Sequence, residues 1–265
     1  MSSSTLSVPA EEIVPFENVA AGISGLRILF TNVYGVRLPD RGWILIDTGL
    51  PLSTARIRSW AKDQFGGPPS AIVLTHGHFD HVGAVRDLAD EWDVPVYAHP
   101  LEHPFLTGQQ EYPPPNPHVG GGVMAVISPL YPRGPIDISH RLRPLEEEAT
   151  EVLPGWRMIH TPGHTVGHVS FYREEDRTLL VGDAFCTTRQ ESFLSVATQK
   201  PELNGPPAYY TPDWSAAKES VEKLAALHPA TVAPGHGQPM SGPDVTLRLH
   251  ELAARFDEIA TPPKS

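Results

Sequence analysis

Four short apolar runs in this chain each lead into a turn that carries histidine or aspartate: LTHGHFDH (74–81), HTPGHTVGH (160–168), LLVGDA (179–184) and VAPGHG (232–237). This repeated format constrains the fold, because side chains converge on ligands at the C-terminal ends of strands in open α/β sheets. Glycines in the turns let the backbone reverse sharply there. If the four turns meet, they assemble five histidines, His76, His78, His81, His164 and His236, with two carboxylates, Asp80 and Asp183. A locally extended His76-Gly77-His78 sends both imidazoles to one side, since extended side chains alternate. Asp80 and His81, opening the next helix, then point to a neighbouring position. Seven such groups are too many for one tetrahedral zinc and suit two metals sharing a carboxylate.

The rest of the chain supplies strands and helices to carry those turns. Arg27 to Leu38 and Trp43 to Ile46 are β-rich, and the intervening Pro39-Asp40-Arg41-Gly42 has hairpin chemistry. Ile57, Trp60, Ala61 and Phe65 recur at helical spacing after Ser53, and Gly66-Gly67-Pro68-Pro69 stops that run. Ala71 to Leu74 is a short buried strand, Val82 to Trp92 has helical period, and Val94 to Tyr97 returns as a strand. Further strands are expected around 157–159, 169–172, 178–181 and 231–233, with helices over 213–227 and 243–259. Residues 100–135, rich in proline and glycine, sustain no periodicity and read as an insertion at the active site. The sequence predicts one α/β domain over residues 1–265. Glu146-Glu147-Glu148 reads as a solvated edge.

Composition narrows the function classes. Lys and Arg number 20 against 31 Asp and Glu, a formal charge of −11, which argues against nucleic-acid binding. Cys186 is the one cysteine, so thiolate clusters and an internal disulfide are excluded and any metal must be held by nitrogen and oxygen. No stretch supplies the ~20 apolar residues of a membrane span, and the first residues lack the pattern of a secretion signal. A soluble, cytoplasmic protein acting on a small molecule is the expectation, with the oligomeric state left open.

The ordered pattern HxHxDH, then H, D and H, resembles that of the metallo-β-lactamase superfamily over about residues 25 to 240. The resemblance implies a four-layer αβ/βα sandwich of two mixed β-sheets with helices outside. By motif position it also implies that His76, His78 and His164 hold one metal and Asp80, His81 and His236 a second, with Asp183 bridging them. Asp47, in the turn Ile46-Asp47-Thr48-Gly49, would support the site from behind the ligands. Two divalent ions, zinc by default with manganese or iron as alternatives, would hold a hydroxide that attacks the substrate, and Asp80 would shuttle a proton to the leaving group.

Subfamily features direct the reading toward acyl hydrolysis. Asp183 is absent from classical β-lactamases that share HxHxDH. The stretch Cys186-Thr187-Thr188-Arg189-Gln190 lacks the Gly-Cys-Gly type segment of glyoxalase II and the persulfide dioxygenases, and Cys186 stands where N-acyl homoserine lactonases place a tyrosine. The reading is a hydrolase of a carboxylic ester, lactone or thioester; the alternatives are a phosphodiesterase, a mononuclear iron sulfur dioxygenase and a non-catalytic metal-binding protein. Expected pocket residues are His99, His103, Tyr112, Phe185, Cys186 and Arg189. His160 and His168 read as structural hydrogen-bonding residues.

Overall fold

The computed structural model describes residues 13–39, 42–119, 122–145 and 151–262. Asp40-Arg41 and the acidic run 146–148 lie outside the described residues. A seven-stranded sheet comprises β1 (Ile13–Ala20), β2 (Ile23–Ile28), β3 (Thr31–Arg37), β4 (Trp43–Ile46), β5 (Ala71–Val73), β6 (Val96–Ala98) and β7 (Leu142–Pro144), in that spatial order. Its first four strands pair antiparallel, and β4 to β7 run parallel. The second sheet orders β8 (Trp156–His160), β9 (Val169–Arg173), β10 (Thr178–Gly182), β11 (Thr231–Pro234) and β12 (Met240–Ser241), with only β10 and β11 parallel.

Strand alternation builds the layers. Trp43 and Leu45 face outward and pack with Ile57 and Trp60 of α1 (Thr54–Phe65) and with Leu88 of α3 (Val85–Trp92). Ile44 and Ile46 face inward and join Val73, Met158, Phe171 and Leu180 in a core shared by both sheets. Leu179 and Val181 turn to the opposite exterior, under Val221 and Leu224 of α7 (Trp214–Ala225) and Leu249 of α8 (Pro243–Ala254). Both faces of each sheet are therefore covered, which is why these strands read as continuous apolar runs rather than alternating ones. The four-layer αβ/βα sandwich follows.

Three expected elements are split, among them the helix expected over 243–259, which divides at Arg255 into α8 and α9 (Phe256–Ile259). The run from Arg27 to Leu38 is two strands of a hairpin, turned at Leu29-Phe30 with Leu29 at φ 59°. Such turns normally announce themselves with asparagine or glycine; here the turn residues are apolar because both pack against the core. The helix expected from Val82 is broken into α2 (Phe79–Val82) and α3. At the break Gly83 N donates to Gly49 O at 2.8 Å, and the Leu50-Pro51 backbone lies where a β-carbon of residue 83 would stand. Among the described residues, 100–135 hold short helical turns, including α4 (His103–Leu106) and α5 (Val123–Ile127), and an isolated bridge from Thr107 to Asp137. No helix among the described residues is long and apolar enough to cross a membrane.

Candidate metal centre

The expected ligands all follow C-terminal strand ends at one edge of the sandwich. Asp47 follows β4, the segment 75–81 follows β5, His164 lies beyond β8, Asp183 follows β10 and His236 follows β11. Cross-sheet bonds fix the last of these turns: Asn32 N donates to Gly235 O at 2.8 Å, and the Tyr34 hydroxyl donates to Pro234 O at 2.7 Å. Gly235 must lack a side chain, since a β-carbon there would overlap Asp183 Oδ1 and the His81 ring.

The seven side chains converge. His76, His78 and His164 form one group whose ligand atoms lie within 4.8 Å of one another, and Asp80, His81 and His236 form another. Asp183 joins them, with Oδ2 at 3.4 Å from His164 Nε2 and 3.0 Å from His236 Nε2, and Oδ1 at 3.5 Å from His81 Nε2. Donors around a tetrahedral ion with bonds of about 2.0–2.1 Å are separated by roughly 3.3 Å, so these spacings suit ions inside the cluster. A further observation points the same way: His76 Nε2, His81 Nε2 and Asp183 Oδ1 are buried and make no hydrogen bond. Buried polar atoms left unpaired are costly, and three of ligand type facing one another fit divalent cations.

The outward nitrogens are committed elsewhere, which sets the tautomers. His81 Nδ1 donates to Asp47 Oδ2 at 2.8 Å, and His236 Nδ1 donates to Phe30 O at 2.8 Å. His76 Nδ1 meets Thr75 Oγ1 at 3.0 Å, and that hydroxyl in turn donates to Asp47 Oδ2 at 2.8 Å. His164 Nδ1 meets Thr211 Oγ1 at 3.3 Å. Each contact leaves Nε2 bare and aimed inward, as metal-ligating histidines require. His78 differs by presenting Nδ1, 2.9 Å from His164 Nε2. Asp47 thus stands behind His81 directly and behind His76 through Thr75, and its own φ of 59° is held by these bonds and by Thr75 N donating to Oδ1 at 2.8 Å.

Two further buried groups stand behind the converging side chains. His168, expected as a structural hydrogen-bonding residue, accepts the Asp183 backbone N–H at Nε2, 2.8 Å away, and pairs through Nδ1 with Thr161 Oγ1 at 2.8 Å. Glu102 escaped the sequence reading. Its carboxylate is buried and accepts Gly77 N (3.0 Å), Gly167 N (2.8 Å), the Thr165 hydroxyl (2.7 Å) and the Tyr112 hydroxyl. One carboxylate therefore ties the loop of His76 and His78 to the loop of His164.

The electrostatics divide the histidines. Burial, reinforced by neighbouring histidines, holds His76 and His164 well below the ordinary 6.5. Burial takes His78 and His168 down to about 3, against the pull of Asp183. Burial also opposes charge at His81 and His236, yet Asp183 and Asp80, with Asp47 beside His81, raise both. Asp183 is likewise penalised by burial, but His236 and His81 outweigh this and keep it well below 3.8.

From the direction of these shifts, the metal-free protein is expected to be most stable near the ordinary histidine value of about 6.5. Below 6.5 the unfolded chain protonates first at the positions of His76, His78, His164 and His168, whose folded values are depressed, so stability falls with pH. Among the described residues, only the Glu102 carboxyl is raised, by burial, and works in the other direction on the acid limb. Above 6.5 the raised histidines, His81 and His236, keep protons that the unfolded chain has lost, so their contribution fades as pH rises through their folded values. Urea denaturation of metal-free protein from pH 4 to 9 checks this; a stability that rises steadily from pH 6.5 to 4 contradicts it.

Beside the ligands is a cavity of about 170 Å³ lined by His78, Phe105, Tyr112, Asn116, Tyr209 and Tyr210, among others. A smaller recess shares His78, Tyr209 and Tyr210 and reaches Asp80, Asp183 and His236. Of the expected pocket residues, Tyr112 alone lines the cavity. His99 instead stacks on His160 at 4.5 Å and caps the turn at Leu101, and His103 bonds Ala98 O at 3.1 Å. Phe185 is in the core under α7 and α8, Cys186 is fully buried with its ionisation pushed up by burial, and Arg189 lines a separate cavity with Glu191 and Asn204. Tyr209 and Tyr210 were not anticipated; their only sequence signal is two adjacent aromatics between prolines, PPAYYTP at 206–212.

Fold and cluster together define a chain of the metallo-β-lactamase superfamily: the sequence model of that superfamily matches residues 26–236, and the chain belongs to it. Among its relatives is a Bacillus subtilis (strain 168) protein named probable metallo-hydrolase YflN, 46% identical over 245 residues that span 91% of this chain and 93% of that one. TTHA1623, whose crystal structure is described in a di-iron-bound form, is 31% identical with a TM-score of 0.55, over 82% of this chain and 92% of that one. A metallo-β-lactamase from Erythrobacter litoralis superposes with a TM-score of 0.63 at 20% identity, covering 94% of this chain and 99% of that one, and speaks to the fold alone.

Proposed function

We propose that this protein is a dinuclear metal-dependent hydrolase of an uncharged carboxylic ester, lactone or thioester, working as one domain with the 100–135 insertion at its active site. The observation that carries this reading is the pair of ligand groups joined by Asp183, with three unpaired inward-facing atoms, opening on an aromatic cavity. The relative named as a metallo-hydrolase supports the hydrolase class, and the di-iron form of TTHA1623 supports two ions. Zinc, manganese or iron suits this nitrogen and oxygen donor set. When bound, such ions supply an activated water and polarise the bond it attacks.

The chain's own residues do the rest. Asp80, which reaches His236 Nε2 at 3.4 Å and lines the recess beside Tyr131, is placed to carry a proton to the leaving group. Phe105, Tyr112, Tyr209 and Tyr210 wall the substrate off from bulk water. Neither the cavity nor the recess is lined by a lysine or arginine among the described residues. Phosphoryl substrates favour cationic clamps, so this lining favours a neutral acyl compound over a phosphodiester.

The test is a panel of aryl esters, lactones, thioesters and a chromogenic phosphodiester, assayed with metal-loaded protein before and after chelation. Hydrolysis of an uncharged acyl substrate that is lost on chelation is the expected result. Turnover of the phosphodiester alone, or oxygen consumption with one iron per chain, would overturn the reading.

A further inference from the structure

Tyr210 closes a short turn, Ala208–Tyr210, whose ring lies 4.7 Å from that of His78 and inclined 34° to it. The turn is tied to the metal ligands: Thr211 Oγ1 donates to Pro207 O at 2.8 Å and meets His164 Nδ1 at 3.3 Å. Tyr210 lines both the cavity and the recess that reaches Asp80, Asp183 and His236. Its hydroxyl is buried and has no hydrogen-bond partner among the described residues. Tyr112, in the same cavity, has its hydroxyl committed to Glu102. A buried phenol normally finds a partner, and one left unpaired where two ligand groups meet a neutral cavity is preorganised for an oxygen that arrives with the substrate.

We propose that the Tyr210 hydroxyl is the donor that receives the substrate's carbonyl oxygen and stabilises it as it becomes an oxyanion. The proposal rests on the acyl-hydrolase reading above. Water adds through its oxygen to the carbonyl carbon, the π pair moves to the carbonyl oxygen, and Tyr210 hydrogen-bonds that oxygen without giving up its proton. Collapse reforms the C=O bond and breaks the bond to the leaving group. The leaving oxygen or sulfur departs with that bond's electron pair and takes the proton given up by water through Asp80, so a carboxylic acid and an alcohol or thiol result. A phenol with an ordinary pKa of about 10 is protonated at neutral pH and can serve as this donor.

Tyr210→Phe tests it on the metal-loaded full-length chain with the best ester or lactone of the panel. The expected result is a fall in kcat of roughly 10²–10³-fold with KM changed little, the effect of deleting one oxyanion donor. Affinity for a phosphonate mimic of the tetrahedral state falls correspondingly, whereas affinity for the carboxylate product does not. Metal content is unchanged, and metal-free Tyr210→Phe unfolds at the same or a higher temperature, because the substitution removes an unpaired buried hydroxyl and breaks no hydrogen bond. Wild-type activity with a variant kcat within threefold of it would overturn the assignment of Tyr210 alone. A kcat loss accompanied by lost metal or a lowered unfolding temperature would also overturn it, showing a structural role. Wild-type protein inactive on every acyl substrate would overturn the acyl-hydrolase reading and this assignment with it.

Discussion

Asp183→Asn is expected to remove bound metal and hydrolysis together while leaving the sandwich folded. Asparagine matches the size of the side chain, but a neutral amide cannot serve the two ligand groups that Asp183 joins through His164, His81 and His236. Loss of an outer partner of a metal ligand typically costs 10–100-fold in affinity, so loss of the shared carboxylate should cost more than about 10²-fold. The metal-free variant should also show weaker proton binding at His81 and His236, since Asp183 is the foremost group raising both. Elemental analysis, kcat and histidine titration by NMR check the three parts; a variant that keeps full metal content would contradict the bridging role.

Glu102→Ala is expected to be the most destabilising substitution among the residues around the centre that are not ligands. Four donors, from Gly77, Gly167, Thr165 and Tyr112, converge on its carboxylate. Each buried donor left unsatisfied costs about 1–3 kcal/mol, and the loss is partly offset because the carboxylate no longer has to be buried. A net loss of about 3 kcal/mol or more is expected in urea denaturation, with metal affinity lowered roughly 10–100-fold as the loops of His78 and His164 separate. Glu102→Gln should fall between. Its remaining oxygen can serve Thr165 and Gly167, but its amide group then faces the Gly77 N–H, a donor that cannot rotate away. An alanine variant as stable as wild type would show that the two loops hold their spacing without this clamp.

The contrast between Glu102 and the ligands explains what could be read from the sequence. His76, His78, Asp80 and His81 are close together in the chain, and His164, Asp183 and His236 each sit in a glycine-marked turn after an apolar run, so local pattern picks out all the side chains that converge. Glu102 has no such mark. It sits in Pro100-Leu101-Glu102-His103, and its partners at 77, 112, 165 and 167 are distant in sequence, so only the assembled fold reveals it. The α/β class was legible from the strand runs of β4, β10 and β11, which are apolar on both faces, whereas the four-layer arrangement came from the family resemblance. The Leu29-Phe30 turn was not legible, because its residues serve the core and deliver Phe30 O to His236 instead of advertising a reversal. His99 and His103 look like pocket residues by their place at the head of the insertion. They are instead used locally, one capping a turn and stacking on His160, the other binding the end of β6.

The central claim is that two ions share Asp183, and its most direct test is metal stoichiometry on wild-type protein purified without added metal and then titrated with zinc. Two ions per chain, falling together in Asp183→Asn, is the predicted result. One ion per chain at saturation, with Asp80, His81 and His236 replaceable without loss of metal, would contradict it.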